Sequence, residues 1–172
     1  NLGLTTTFTV AFWAKEVGTT ASYAFNFYQD TANGLGIKMD NDVIHIYDDM
    51  TANDDVVYNT AISSAVHHVV LSVNSSNMTL YVDGSSIGTG TNMTESLADA
   101  TYNLYIGNRD NAGGYPFNGM LSNFQVWDKA WSADEVTYDY NNPESLVLGA
   151  SGTSLTYSDL KLWYPMQDGY RG

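Results

Sequence analysis

FNGMLSNFQVWDKAWSADEV, residues 117–136, carries two periodicities in succession. Phe117, Met120, Leu121, Phe124, Val126 and Trp127 form a mostly alternating apolar run, the mark of a half-buried strand. Ser132, followed three residues later by Glu135, is the signature of a capping box, in which side chain and backbone satisfy the orphan amides of a helix start. The stretch predicts a strand running directly into one short helix, from Ser132 to about Asn141, ahead of Pro143.

Elsewhere the chain shows short alternating runs and no helical period. They are Phe8–Trp13, Ser22–Tyr28, Leu35–Met39, Val43–Tyr47, His67–Val73, Met78–Val82, Tyr102–Ile106, Leu121–Trp127 and Leu160–Tyr164. Between them lie Asn33-Gly34, Asp40-Asn41-Asp42, Asn74 to Asn77, Asp83-Gly84 and Gly113-Gly114, all turn chemistry. Many short strands separated by turns predict an all-β antiparallel sandwich. Pro116, Pro143 and Pro165 all avoid strand centres, as strand pairing requires.

The 172 residues suffice for one domain with a single core. With 6 Lys plus Arg against 19 Asp plus Glu, the net charge is −13, and no basic stripe for nucleic acid can form. No apolar run reaches the ~18 residues of a membrane span. Cysteine is absent, which removes disulfides, thiol catalysis and thiolate metal sites. The opening on Asn1, close to the first strand, leads us to expect a fragment of a longer polypeptide.

FTVAFWAK (8–15), HHVVLSVNSSNMTLYVDGSSIGTG (67–90) and residues 102–136, in that order, resemble the laminin G-like/pentraxin branch of the concanavalin A-like jelly rolls. The resemblance covers roughly residues 5–142. It implies a two-sheet jelly roll in which the strand Gly119-x-Leu121-x-Asn123-Phe124-x-Val126-Trp127 leads into a short helix packed over the sandwich. The expected organisation is a laminin G-like domain over 1–148 and a loop or linker over 149–159. Residues 160–172 then either complete the sandwich or open a following domain.

The same resemblance implies a calcium site. Pentraxins hold calcium with an Asp-Asn pair on one hairpin and an acidic loop on another, and Asp40, Asn41 and Asp110 stand at matching positions. The chain departs from the pattern at Asn108, where those lectins carry Glu, and at Arg109, which puts a cation beside the ion. The alternative is that both segments are plain turns. Tyr115 with Asn108 and Asn111, and Tyr47 near Asn41, form the best group for a sugar, an aromatic platform beside amide side chains. The acidic stretch Asp48 to Asp55 lacks the glycine and terminal glutamate of a helix–loop–helix calcium site. His67 and His68 are consecutive in a strand and point to opposite faces, so they cannot converge on one ion.

Glycosidase relatives in this superfamily need two carboxylates flanking the scissile bond. Glu16, Glu95, Glu135 and Glu144 stand in no such pattern, and no nucleophile elbow, zincin or phosphate-loop motif is present. We therefore expect a non-catalytic module recognising a surface glycan or glycoprotein. The acidic, lysine-poor, cysteine-free composition suits a virion protein, such as a tail fibre or capsid decoration, or a cell-surface adhesin. The alternative is a purely structural assembly domain contacting other copies or other virion or surface proteins; a glycoside hydrolase relative ranks behind both.

Overall fold

The computed structural model describes residues 2–18, 20–30, 33–40, 43–48, 56–58, 65–75, 77–91, 97–98, 101–147 and 153–166. Eleven strands are present among them: β1 (Thr7–Glu16), β2 (Ser22–Tyr28), β3 (Gly34–Asp40), β4 (Val43–Asp48), β5 (Val56–Tyr58), β6 (His67–Asn74), β7 (Asn77–Val82), β8 (Ser85–Thr91), β9 (Asn103–Ile106), β10 (Gly119–Trp127) and β11 (Leu160–Tyr164). The helix α1 is Ala133–Asn141. One sheet has the order β11-β10-β1-β6-β7-β8, and the other β5-β4-β3-β2-β9. Every pairing is antiparallel. This is the jelly-roll sandwich that the alternating runs and the laminin G-like order led us to expect.

The core between the sheets takes alternate residues from each strand: Phe8, Val10, Phe12 and Ala14 from β1, Val69, Leu71 and Val73 from β6, and Phe25, Phe27, Leu35, Ile37, Ile44 and Ile46 from the facing sheet. Phe12 stacks on Phe124 with centroids 5.8 Å apart, and Phe25 meets both edge-on. The middle of β1 is buried on both faces, because α1 and its flanking segments cover the outside of the six-stranded sheet. Ala11, Val70, Tyr81, Trp127, Trp131, Val136, Leu146, Val147 and Leu155 make this second, smaller core. The helix begins as the sequence predicts. Ser132 Oγ accepts the Glu135 amide, and Glu135 Oε2 accepts the Ser132 amide at 2.8 Å. Glu135 Oε1 also accepts the Ser154 hydroxyl at 2.6 Å, tying the segment before β11 to the helix start.

β5 and β8 are the two strands that no alternating run announces. Each is an edge strand, paired on one side only; β5 is three residues long, and β8 is Ser, Gly and Thr apart from Ile87. β8, Ser-Ser-Ile-Gly-Thr-Gly-Thr, is held by its hairpin: Val82 pairs with Ser85 across Asp83-Gly84, both at positive φ (50° and 78°). That is the two-residue turn whose twist matches the strands. A Cβ on Gly84 would stand 3.1 Å from the Tyr140 ring, so the helix closes down on this turn.

Candidate functional site

The face of the five-stranded sheet turned away from the core carries a band of aromatic and charged side chains. Lys38 of β3 lies between Tyr23 of β2 and His45 of β4, and Gly36 between Asn26 and Tyr47. In β2 the register slips between Tyr23 and Phe25, making Ala24 an extra residue. This bulge keeps Tyr23 and Asn26, three apart in sequence, on one face. A Cβ on Gly36 would fall 2.7 Å from Asn26 Oδ1 and 2.6 Å from the Phe25 carbonyl oxygen. Only glycine there lets the Asn26 amide lie across β3. Lys38 Nζ donates to the Tyr47 hydroxyl at 3.1 Å and pairs with Asp40 at 3.3 Å. Burial lowers the Lys38 pKa, but these two partners outweigh it, and the ammonium is held above its ordinary value.

The segment from Gly107 to Phe117 folds back over one end of this band. Its neck is closed by Gly107 N donating to the Ala24 carbonyl at 2.9 Å and Phe117 N to the Gly107 carbonyl at 2.8 Å. Two further bonds lay it on β2: Tyr23 N donates to the Tyr115 carbonyl at 3.2 Å, and Asn26 Nδ2 to the Arg109 carbonyl at 3.0 Å. Inside the loop, Arg109 Nε donates to Asp110 Oδ2 at 2.7 Å, and the guanidinium carbon sits 4.4 Å from the Tyr115 ring centroid. Asp110 Oδ1 accepts the Ala112 amide at 2.8 Å. Burial pushes the Asp110 carboxyl up, but the Arg109 bond and the Ala112 and Gly113 amides outweigh it and hold it below the usual carboxylate range.

Tyr47 and Tyr115 are joined through Tyr23, whose ring centroid is 5.9 Å from each, and His45 stacks on Tyr47 at 6.0 Å. Asn108 lies beside Arg109, with its Oδ1 accepting the Arg109 amide at 2.9 Å, and Asn111 is exposed on the same loop. Sequence reasoning did not single out Tyr23, Asn26 or Lys38, because which face Tyr23 takes depends on the Ala24 bulge. Arg109 appeared there only as a departure from the pentraxin pattern.

The calcium implied by the pentraxin resemblance needs six to eight oxygen ligands, from loops free to supply them. Asp110 is 3% exposed and has one oxygen on Arg109 and the other on Ala112. Asp40 faces Lys38, and the hairpin closes as Asp40 pairs with Val43. Asn41 lies outside the described residues, as does most of the acidic stretch from Asp48 to Asp55. Asp110 does not fit a divalent ion in this arrangement, since Arg109 and the Ala112 amide take its two oxygens, and Asp40 has one oxygen on the Lys38 ammonium.

Two histidine–carboxylate pairs lie elsewhere. His67 Nδ1 meets Asp83 Oδ2 at 2.7 Å, while His68 Nε2 meets Asp139 Oδ2 at 2.9 Å beneath α1, so the two rings serve different carboxylates. Asp139 also accepts Gln125 Nε2 (3.3 Å to Oδ2), and Gln125 Oε1 accepts the Trp127 indole N–H at 2.9 Å.

A comparison against curated protein sequences gave no match. Among solved structures, the chain is similar to the native heptameric SAP-like pentraxin of Limulus polyphemus (23% identity, TM-score 0.63, 79% of this chain and 70% of that one). It is also similar to a putative carbohydrate binding protein from Bacteroides ovatus (13%, TM-score 0.72, 98% of this chain but only 48% of that one). A third likeness is to the carbohydrate-binding module of the Ruminococcus gnavus IT-sialidase, bound to α2,3-sialyllactose (14%, TM-score 0.62, 79% and 83%). At these identities the likenesses show the fold alone. A laminin G-type family model matches residues 1–137, and with that match the chain belongs to the concanavalin A-like lectin/glucanases superfamily.

Proposed function

We propose that this domain is a non-catalytic carbohydrate-binding module whose ligand rim is Tyr47 and Tyr115, joined beneath by the buried Tyr23, with Asn108, Asn111, Lys38 and Arg109. The observation that carries the reading is the continuous aromatic band, His45–Tyr47–Tyr23–Tyr115, edged by amides and cations on one sheet face. Sugar rings pack their C–H faces on aromatic rings while their hydroxyls take directional hydrogen bonds, and this band offers both. Two structural neighbours are carbohydrate-binding by description, one of them seen with a sialylated trisaccharide, which supports the same class of ligand.

Non-catalytic action is supported by where the carboxylates are spent. Glu135 caps α1 and holds Ser154, Asp139 holds His68 and Gln125, and Asp110 holds Arg109. None of these is left for acid–base work on a glycosidic bond. The carrier in this proposal is a larger virion or cell-surface protein, in keeping with the charge of −13 and the absence of cysteine. The test is a glycan array probed with the isolated domain and with Tyr47→Ala and Tyr115→Ala. Binding that both substitutions weaken is the expected result. A stable oligomer that binds no glycan would instead make this a structural assembly domain.

A further inference from the structure

Of the 6 basic residues in a chain with 19 acidic ones, Lys38 and Arg109 both stand against Tyr23 on the aromatic band. Arg109 is only partly used. Its Nε is spent on Asp110, and its plane is set over the Tyr115 ring. Neither terminal Nη nitrogen has a hydrogen-bond partner among the described residues, and the side chain is 30% exposed. A guanidinium carries five donors in one plane, so the edge bearing the two Nη groups is free to meet a planar acceptor with two parallel bonds. Gly114 lies beside this edge, where a Cβ would stand 3.8 Å from Arg109 Nη2. Asn108 Nδ2 and the Tyr115 hydroxyl also lack hydrogen-bond partners among the described residues.

The pairing with Asp110 does not cancel this site for an anion. Asp110 is buried, with both oxygens engaged, so it fixes the guanidinium from behind and presents no open carboxylate to a ligand. A charge-assisted bidentate bond is roughly twice as strong as a neutral one, so a carboxylate gains more here than a sugar hydroxyl would. We infer that Arg109 is the specificity-determining residue of the rim, forked to receive the carboxylate of an acidic sugar, a uronic or nonulosonic acid. This rests on the glycan-binding reading above and narrows its ligand class.

The experiment is titration calorimetry with two matched pairs. One pair is trigalacturonate and the same trisaccharide with its carboxyls reduced; the other is 3′-sialyllactose and lactose. The acid member of at least one pair should bind about tenfold or more tightly than its neutral partner, and the pair that responds tells uronate from nonulosonate. Arg109→Gln should bring the acid member down to the neutral one. Arg109→Lys, which keeps the charge and loses the planar fork, should recover only part of the difference. Circular dichroism and thermal melting of both variants check that the fold is intact, and the wild-type comparison needs neither variant. Equal affinity within both pairs, no binding to either, or a preference that survives Arg109→Gln overturns the inference. Neutral glycans bound on the array without acidic ones would sink it and spare the module, whereas an array with no binding at all would sink the module reading itself.

Discussion

Replacing Asp139 with Ala should be among the most damaging single changes that leave every apolar core residue in place. Asp139 is fully buried on α1, and its carboxylate meets two polar side chains of the outer face of the six-stranded sheet. His68 Nε2 reaches it at 2.9 Å and Gln125 Nε2 at 3.3 Å, from two different strands. Alanine suits the helix intrinsically, so propensity does not oppose the substitution. What is lost is two buried hydrogen bonds, with two donors left unpaired, each costing about 1–3 kcal/mol. The expected destabilisation is therefore about 3–5 kcal/mol, the middle of the range for two such donors together. In a chain of this length that is roughly 8–15 °C in Tm. Urea unfolding followed by tryptophan fluorescence, with the slope unchanged, is the measurement. The double variant His68→Leu with Asp139→Leu should lose less than the two single changes added together, because it removes donor and acceptor at once. A loss below about 1 kcal/mol for Asp139→Ala would refute the view that this carboxylate organises the helix against the sheet.

Three further outcomes follow from the geometry. Ser132→Ala removes the cap at the start of α1 and should cost about 1 kcal/mol by the same unfolding assay, with Glu135→Ala costing more because Glu135 also holds Ser154. Asp110 and Asp159 both titrate below their unfolded values. For Asp159 burial raises the pKa, but the Thr156 amide and hydroxyl, with Lys129 and Lys161, outweigh it. Their contribution to stability should thus be complete above about pH 5 and fall away as the pH drops through the folded values, seen as a Tm that is flat above that point and declines below it. Melting in EDTA and in millimolar Ca²⁺ should coincide for the wild type, because a divalent ion would have to displace Arg109 from Asp110 and Lys38 from Asp40; a Tm raised by Ca²⁺ would show that the loop rearranges to take the ion.

Where local chemistry dictates structure, the sequence is readable. Asp83-Gly84 needs positive φ at two consecutive positions, and it makes the two-residue hairpin that positions β8. Ser132 and Glu135 sit at the one spacing where each can reach the other's backbone, and they start α1. The alternation of His67 and His68 is enough to send them to different carboxylates, Asp83 and Asp139. β5 and β8 escape this kind of reading because three residues are too few to show an alternation and a Ser/Gly/Thr run has almost no apolar side chains to alternate.

The rim is less legible, and the reason is geometric. Tyr47 and Tyr115 stand out as aromatics near polar loops, but the ring that joins them, Tyr23, reaches the band only because Ala24 is an extra residue in β2. A strict alternation from Phe25 and Phe27 would put Tyr23 in the core, and no local signal marks the bulge. Arg109 shows the same dependence on tertiary placement. Beside Asp110 in sequence, it reads as a charge that spoils an ion site. Once the Gly107–Phe117 segment folds back on β2, it becomes the group that holds Asp110, lies over Tyr115 and keeps its Nη edge free. Which side chains share this face is therefore set by the bulge and the loop together, and Arg109 is the residue through which the loop joins Asp110, Tyr115 and β2.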